Sequence, residues 1–274
     1  MFVQVSTDIG ATRLGHLNVL VADHNTAVAH YRRLFDTEFF LFMHVPDVAS
    51  TNTLGVIGDT CIELFAPYHA DSVLGRNLAK QGPGAFAIEF TVADYEQARE
   101  AVLAHGLRIT AADAPHYLWI HPADLGGLSI ELSPAQFRGD PRAETGWSTD
   151  RWADGPLGIV GLRSISIEVT APAAEVAAQL HSLCAAKVTD EGTVSGRDFV
   201  EVQIAGETFR LLSPSPQGAS RGKMASLDFT VRNLDAVHQW ARTCGVPVVE
   251  AAGGARLALP AELNLGTRIE FVQA

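Results

Sequence analysis

The sequence predicts an α+β fold built from repeated βαβββ units. Two observations predict it. Short stretches of alternating apolar residues are broken by single helical stripes, in the order strand, helix, three strands, and this order occurs twice in the first half. The plan then recurs. Phe90-Thr91-Val92-Ala93-Asp94 is matched by Phe229-Thr230-Val231-Arg232-Asn233, and Gly106-Leu107 by Gly245-Val246 at the same spacing, as an internal duplication requires.

The first strand lies in Arg13 to Val21. Leu17, Val19 and Val21 fall on one face, and His16, Asn18 and Leu20 on the other. Asp23 to Phe35 reads as a helix with a stripe of Val28, Tyr31, Leu34 and Phe35, capped by Asp23 or Asn25. Phe39 to Met43 and Thr53 to Ile57 are strand-like. Thr60 to Pro67 follows, with Ile62 and Leu64 opposite Cys61, Glu63 and Phe65. Tyr68 to Gly84 is a polar connection.

The second unit opens with a strand from Ala85 to Val92. A helix from Asp94 to His105 carries Tyr95, Ala98 and Val102, with Gly106 as its C-terminal cap. Strands near Leu107 to Ala111, Tyr117 to His121 and Leu128 to Leu132 complete it. In the last, Leu128, Ile130 and Leu132 oppose Ser129 and Glu131. Residues 136–157 are rich in loop formers, among them Gly139, Pro141, Gly146 and Pro156. The expected organisation is an N-terminal half at 1–137, a linker at 138–157 and a C-terminal half at 158–274. Across the halves His16 falls opposite Ser164, Glu63 opposite Arg210, Ala87 opposite Ser226 and Glu131 opposite Glu270.

Composition narrows the class. Hydrophobic residues make up 47% and charged residues 19%, which indicates a soluble globular chain. The net charge of −11 argues against nucleic acid and anionic membrane as partners. No apolar run approaches the ~20 residues of a membrane helix. Met1 to Thr12 lacks a basic region followed by an apolar core, so no signal peptide is expected. Cys61, Cys184 and Cys244 are scattered without a CxxC, which suits a reducing cytoplasm. There is no Walker loop, no dinucleotide-binding glycine motif after the first strand and no GxSxG elbow.

Three strands thus each carry one ionisable residue among hydrophobes: His16, Glu63 and Glu131. A carboxylate inside an apolar strand is costly unless compensated. One imidazole and two carboxylates form a ligand set for a divalent ion. The other reading of these residues is a metal-free pocket in which His16 hydrogen-bonds to Glu63 or Glu131.

Four stretches carry a resemblance: Leu14-Gly15-His16-Leu17-Asn18-Val19; Gly58 to Pro67; Gly82-Pro83-Gly84-Ala85-Phe86-Ala87-Ile88-Glu89-Phe90; and Ile120-His121-Pro122 through Glu131-Leu132. In this order they resemble the vicinal oxygen chelate superfamily of glyoxalases, bleomycin-resistance proteins and extradiol dioxygenases, nearest its glyoxalase-like and methylmalonyl-CoA epimerase-like branch. The resemblance implies four βαβββ modules in two paired halves, with curved mixed sheets around a cavity and helices outside. It places metal positions at His16, Glu63, Ala87 and Glu131, of which Ala87 cannot bind. Glu89, two residues on, is a substitute carboxylate displaced by roughly 6.6 Å along the strand. Asn18, Phe65, Trp119 and His121 are further pocket candidates, and Asp47 lies near where the epimerases carry a second acid or base.

The resemblance implies a metal-assisted isomerase or lyase acting on a small carbonyl or vicinal-oxygen substrate through an enolate-like intermediate, with Glu131 as base beside Glu63. The alternative is a non-catalytic binding protein for a natural product or antibiotic, which the loss of a ligand at Ala87 favours. A ring-cleaving dioxygenase fits least, because only one histidine is offered. The expected partner is a small-molecule substrate or ligand, with homodimerisation left open. The second half is expected to be silent, Arg210 and Glu270 forming an ion pair where a metal would otherwise sit.

Overall fold

A computed structural model describes residues 8–134, 136–215, 222–251 and 255–274. The first half runs β1 (Ala11–Leu20), α1 (His24–Phe35), β2 (Glu38–Val45), β3 (Ser50–Ile57), β4 (Thr60–Pro67), α2 (Val73–Gln81), β5 (Gly84–Val92), α3 (Tyr95–Ala104), β6 (Ile109–Asp113), β7 (Tyr117–Ile120) and β8 (Ile130–Ser133). A four-residue helix, α4 (Asp150–Ala153), lies in the connection. The second half runs β9 (Ile159–Glu168), α5 (Ala173–Cys184), β10 (Lys187–Val194), β11 (Arg197–Ile204), β12 (Glu207–Leu212), β13 (Lys223–Val231), α6 (Leu234–Cys244), β14 (Val249–Glu250), β15 (Arg256–Leu259) and β16 (Ile269–Gln273).

The strands make two curled eight-stranded sheets, ordered β2-β3-β4-β1-β5-β8-β7-β6 and β10-β11-β12-β9-β13-β16-β15-β14. The two orders are the same, strand for strand. Each sheet takes its strands from one half of the chain, and parallel pairs such as β1 with β4 adjoin antiparallel pairs such as β3 with β4. The fold is the expected α+β arrangement of βαβββ modules.

Compactness groups the modules differently. One compact unit gathers the described residues of Met1–Gly15, Phe86–Gln136 and Ser164–Ala225; the other gathers His16–Ala85, Phe137–Arg163 and Ser226–Ala274. Within the first, Ile9 N–H donates to Leu183 O, Thr170 N–H donates to Gly126 O, and the Phe90 and Phe209 rings meet edge to face. Within the second, Trp240 Nε1–H donates to Leu34 O at 2.9 Å, its indole stacks on Phe35, and His30 bonds to Asn264. Each unit therefore packs one module of the N-terminal half with one of the C-terminal half.

Local sequence explains several helix starts. Asp23, Asp94 and Asn233 each accept a backbone N–H of the first turn of α1, α3 and α6, satisfying a donor the helix cannot. Helix α2 departs from the expected polar connection. Ser72 caps it, and only Leu74 and Gly75 are buried along its length. The expected linker is also ordered. Trp152 and Leu157 are buried, and Arg151 pairs with Asp36 and Glu38.

Candidate metal centre

Parallel pairing of β1 with β4 sets Asn18 beside Glu63 and Leu17 beside Ile62. Alternation then puts His16, Asn18 and Glu63 on one face. His16 Nε2 stands 2.9 Å from Glu63 Oε2, and the two residues are 1% and 4% exposed. The antiparallel β3 flanks β4 on its other side, joined to it through a tight turn at Gly58-Asp59. That turn pairs Ile57 with Thr60, and the register runs on to Leu54 with Glu63 and Asn52 with Phe65. Asn52 thus stands diagonal to Glu63 on the same face, and its Nδ2 donates to Glu63 Oε1 at 2.9 Å. Ser50 Oγ donates in turn to Asn52 Oδ1. The Phe137 ring meets the His16 imidazole edge-on, with centroids 5.4 Å apart.

Glu131 lies on β8, beside Glu89 of β5 and Trp119 of β7. It is 8% exposed. His16, Glu63 and Glu131 each offer one ligand atom, and these atoms all lie within 4.8 Å of one another. The donor set fits a divalent cation. Two buried carboxylates beside one imidazole leave negative charge in a water-poor site even when the imidazole is protonated. A doubly charged ion with neutral imidazole brings the site to neutrality. One nitrogen and two oxygens suit a borderline-to-hard divalent metal.

No family model matches the chain. The mitochondrial methylmalonyl-CoA epimerase of Bos taurus is 28% identical over 131 residues, which is 45% of this chain and 74% of the relative. The ethylmalonyl-CoA/methylmalonyl-CoA epimerase of Cereibacter sphaeroides is 29% identical over 128 residues, 44% of this chain and 96% of the relative. A mutant of 4-hydroxymandelate synthase from Streptomyces coelicolor shares the fold, with a TM-score of 0.74 at 14% identity over 96% of this chain and 93% of that one. Over the stretch matched by the two epimerases, the chain is similar to epimerases of the vicinal oxygen chelate superfamily, as its motifs imply.

The remaining positions implied by the superfamily pattern fare unevenly. Ala87 is buried and offers only a methyl group. Glu89 is fully buried, but it is not in the ligand cluster. Its carboxylate fills the space over Gly15, where a Cβ would lie 1.4 Å from Glu89 Oε2. Asn18 and Phe65 are buried on the strands that carry His16 and Glu63. Trp119 is half-buried and stacks on Phe86, with ring planes 6° apart. His121 caps the turn at Pro122–Asp124, its Nδ1 accepting from Ala123 N–H at 3.1 Å. Asp47 is exposed.

The expected ion pair between Arg210 and Glu270 is not what forms. Arg210 pairs with Glu201, directly across the β11–β12 ladder, and its guanidinium lies over the Phe199 ring. Glu270 pairs with Arg268 at 2.9 Å and Arg256 at 3.5 Å. Arg256 also reaches Asp228, which is 1% exposed and accepts a hydrogen bond from Ser226 Oγ. Each charge found a nearer partner in its own sheet neighbourhood.

Asn52, Ser50 and Phe137 join the site beyond the residues that strand alternation marks. A signal for Asn52 existed, because a two-residue turn fixes hairpin register and hence which residue lies diagonal to Glu63. Phe137 has no such signal, since it comes from the connection between the halves.

Proposed function

We propose that this chain is a metal-assisted isomerase or lyase that removes the acidic proton beside the carbonyl of a small substrate. The observation that carries the reading is the buried convergence of His16, Glu63 and Glu131. His16, Glu63 and Glu131 would hold a divalent ion, which when bound supplies Lewis-acid polarisation of neighbouring substrate oxygens. Glu131 takes the proton from the substrate carbon onto a carboxylate oxygen. In an isomerase Glu131 returns that proton to a neighbouring atom, or a second acid delivers a proton to the opposite face; in a lyase the electron pair expels a leaving group instead. Burial of the three side chains excludes water that would compete for the proton. Similarity to two epimerases of acyl-CoA substrates supports an isomerase over a lyase.

A second reading is a binding protein for a small natural product, favoured by the methyl group of Ala87 where a fourth ligand would stand. The two readings separate by deuterium exchange. Protein loaded with Co2+, Zn2+ or Mn2+ is incubated in D2O with methylmalonyl-CoA and with simple 2-oxo acids, and exchange at the acidic carbon is followed by NMR. Exchange that Glu131→Gln abolishes supports the enzyme. No exchange in any member of the panel, with ligand binding intact, sinks it in favour of the binding protein.

We propose the halves at 1–137 and 158–274 as the units of duplication, joined by 138–157. No helix among the described residues is long and apolar enough to cross a membrane. Cys61, Cys184 and Cys244 are free, and a reducing cytoplasm is the proposed location. Homodimerisation is the further proposal that a sizing measurement addresses.

A further inference from the structure

We infer that Asn52, locked by Ser50, is the positioning residue that aims the Glu63 carboxylate at His16; its consequence for metal affinity rests on the metal centre proposed above. A primary amide has one acceptor end and one donor end, and a flip exchanges them. Ser50 Oγ–H donates to Asn52 Oδ1, so the acceptor end is committed. The donor end must then face Glu63, where Nδ2 binds Oε1 at 2.9 Å. With Oε1 held, Oε2 is left pointing at His16 Nε2, also at 2.9 Å.

Burial makes the arrangement matter. Ser50 is 0% and Asn52 2% exposed, so water does not compete for either bond. A glutamate side chain has three rotatable bonds, and a buried one without such a tether would sample orientations unfit to bind a cation.

The duplicated half supplies an internal control. Register places Phe199 at the position of Asn52 and Arg197 at that of Ser50, and the ligand position itself is Arg210. Where the carboxylate is gone, both members of the relay are gone too. The tether is therefore not a demand of the βαβββ backbone, which folds equally with an aromatic ring there. It accompanies the carboxylate.

Two measurements test this, one independent of any metal. In metal-free protein, 15N NMR reads hydrogen exchange of the Asn52 side-chain amide. Strong protection is expected in the wild type and in Ser50→Thr, with loss of protection in Glu63→Ala and Ser50→Ala. An Asn52 amide that exchanges freely in the folded wild type overturns the inference, whatever the metal result. The second measurement is Co2+ binding followed through its visible absorption. Asn52→Leu is expected to keep the fold, to weaken Co2+ binding about 10–100-fold, and to alter the ligand-field spectrum. Ser50→Ala should show a smaller loss and Ser50→Thr none. An unchanged affinity and spectrum in a folded Asn52→Leu protein would overturn the inference. If the wild type binds no Co2+ but the amide is protected, the metal reading fails and the hold of Asn52 on Glu63 stands.

Discussion

In β3 and β4, Leu54 faces Glu63 and Asn52 stands diagonal to it; in β11 and β12, Glu201 faces Arg210 and Phe199 takes the diagonal place. The backbone pairing is the same, and the chemistry is opposite. The first corner collects negative charge and tethers it with an amide. The second collects a guanidinium, neutralises it with the acid across the ladder, and rests it on an aromatic face. The far corners differ in the same sense. Glu131 beside Glu89 has its counterpart in Glu270 beside Asp228, but only the second pair receives Arg256, where the first half has Tyr117. A charge that is satisfied within its own strands needs no ion. A cluster of two buried carboxylates and one imidazole is the arrangement proposed to take one.

The comparison can be broken most directly by converting the first corner into the second. Glu63→Arg combined with Leu54→Glu recreates the Arg210–Glu201 arrangement across β3 and β4. Such a protein is expected to fold and to bind no Co2+ at stoichiometric concentration, because a guanidinium repels the cation and removes a ligand. Retained tight binding would show that His16 and Glu131 suffice.

A smaller effect is expected in the second half. Arg256→Ala removes the guanidinium shared by the buried Asp228 and Glu270. It should destabilise by about 3 kcal/mol in denaturant melts, toward the low end for a buried pair because Arg256 keeps partial exposure. Co2+ affinity should be untouched. A drop in metal binding together with unchanged stability would assign that corner a functional role and end the picture of a silent half.

The smallest effect concerns pH. His30 on α1 bonds to Asn264, and burial lowers its pKa below the ordinary histidine value. The folded state thus favours the neutral ring. Its stabilising contribution is present above pH ~6.5 and is lost as pH falls through the lowered folded value. Thermal melts from pH 8 to pH 5 should show a modest decline that His30→Asn flattens. A decline of the same size in the variant would remove His30 as its cause.

Much of this was legible locally. Alternation in three strands singled out His16, Glu63 and Glu131, and capping residues marked α1, α3 and α6, because period and cap are properties of a few consecutive residues. The repeated spacing exposed the two-half plan for the same reason. What local pattern left open was the choice among partners. Arg210 had two acids available in principle, and distance across the β11–β12 ladder chose Glu201 over Glu270. Glu89 shared a strand with Ala87, yet its carboxylate came to rest over Gly15 rather than in the ligand cluster. Helix α2 lies in a stretch that reads as a polar connection, and Phe137 reached His16 from a stretch rich in loop formers. Periodicity assigns a side chain to a face, whereas Coulomb attraction, hydrogen bonding and packing act over a few ångströms in space. Which groups come within that range was decided only when the sheets curled and strands distant in sequence became neighbours.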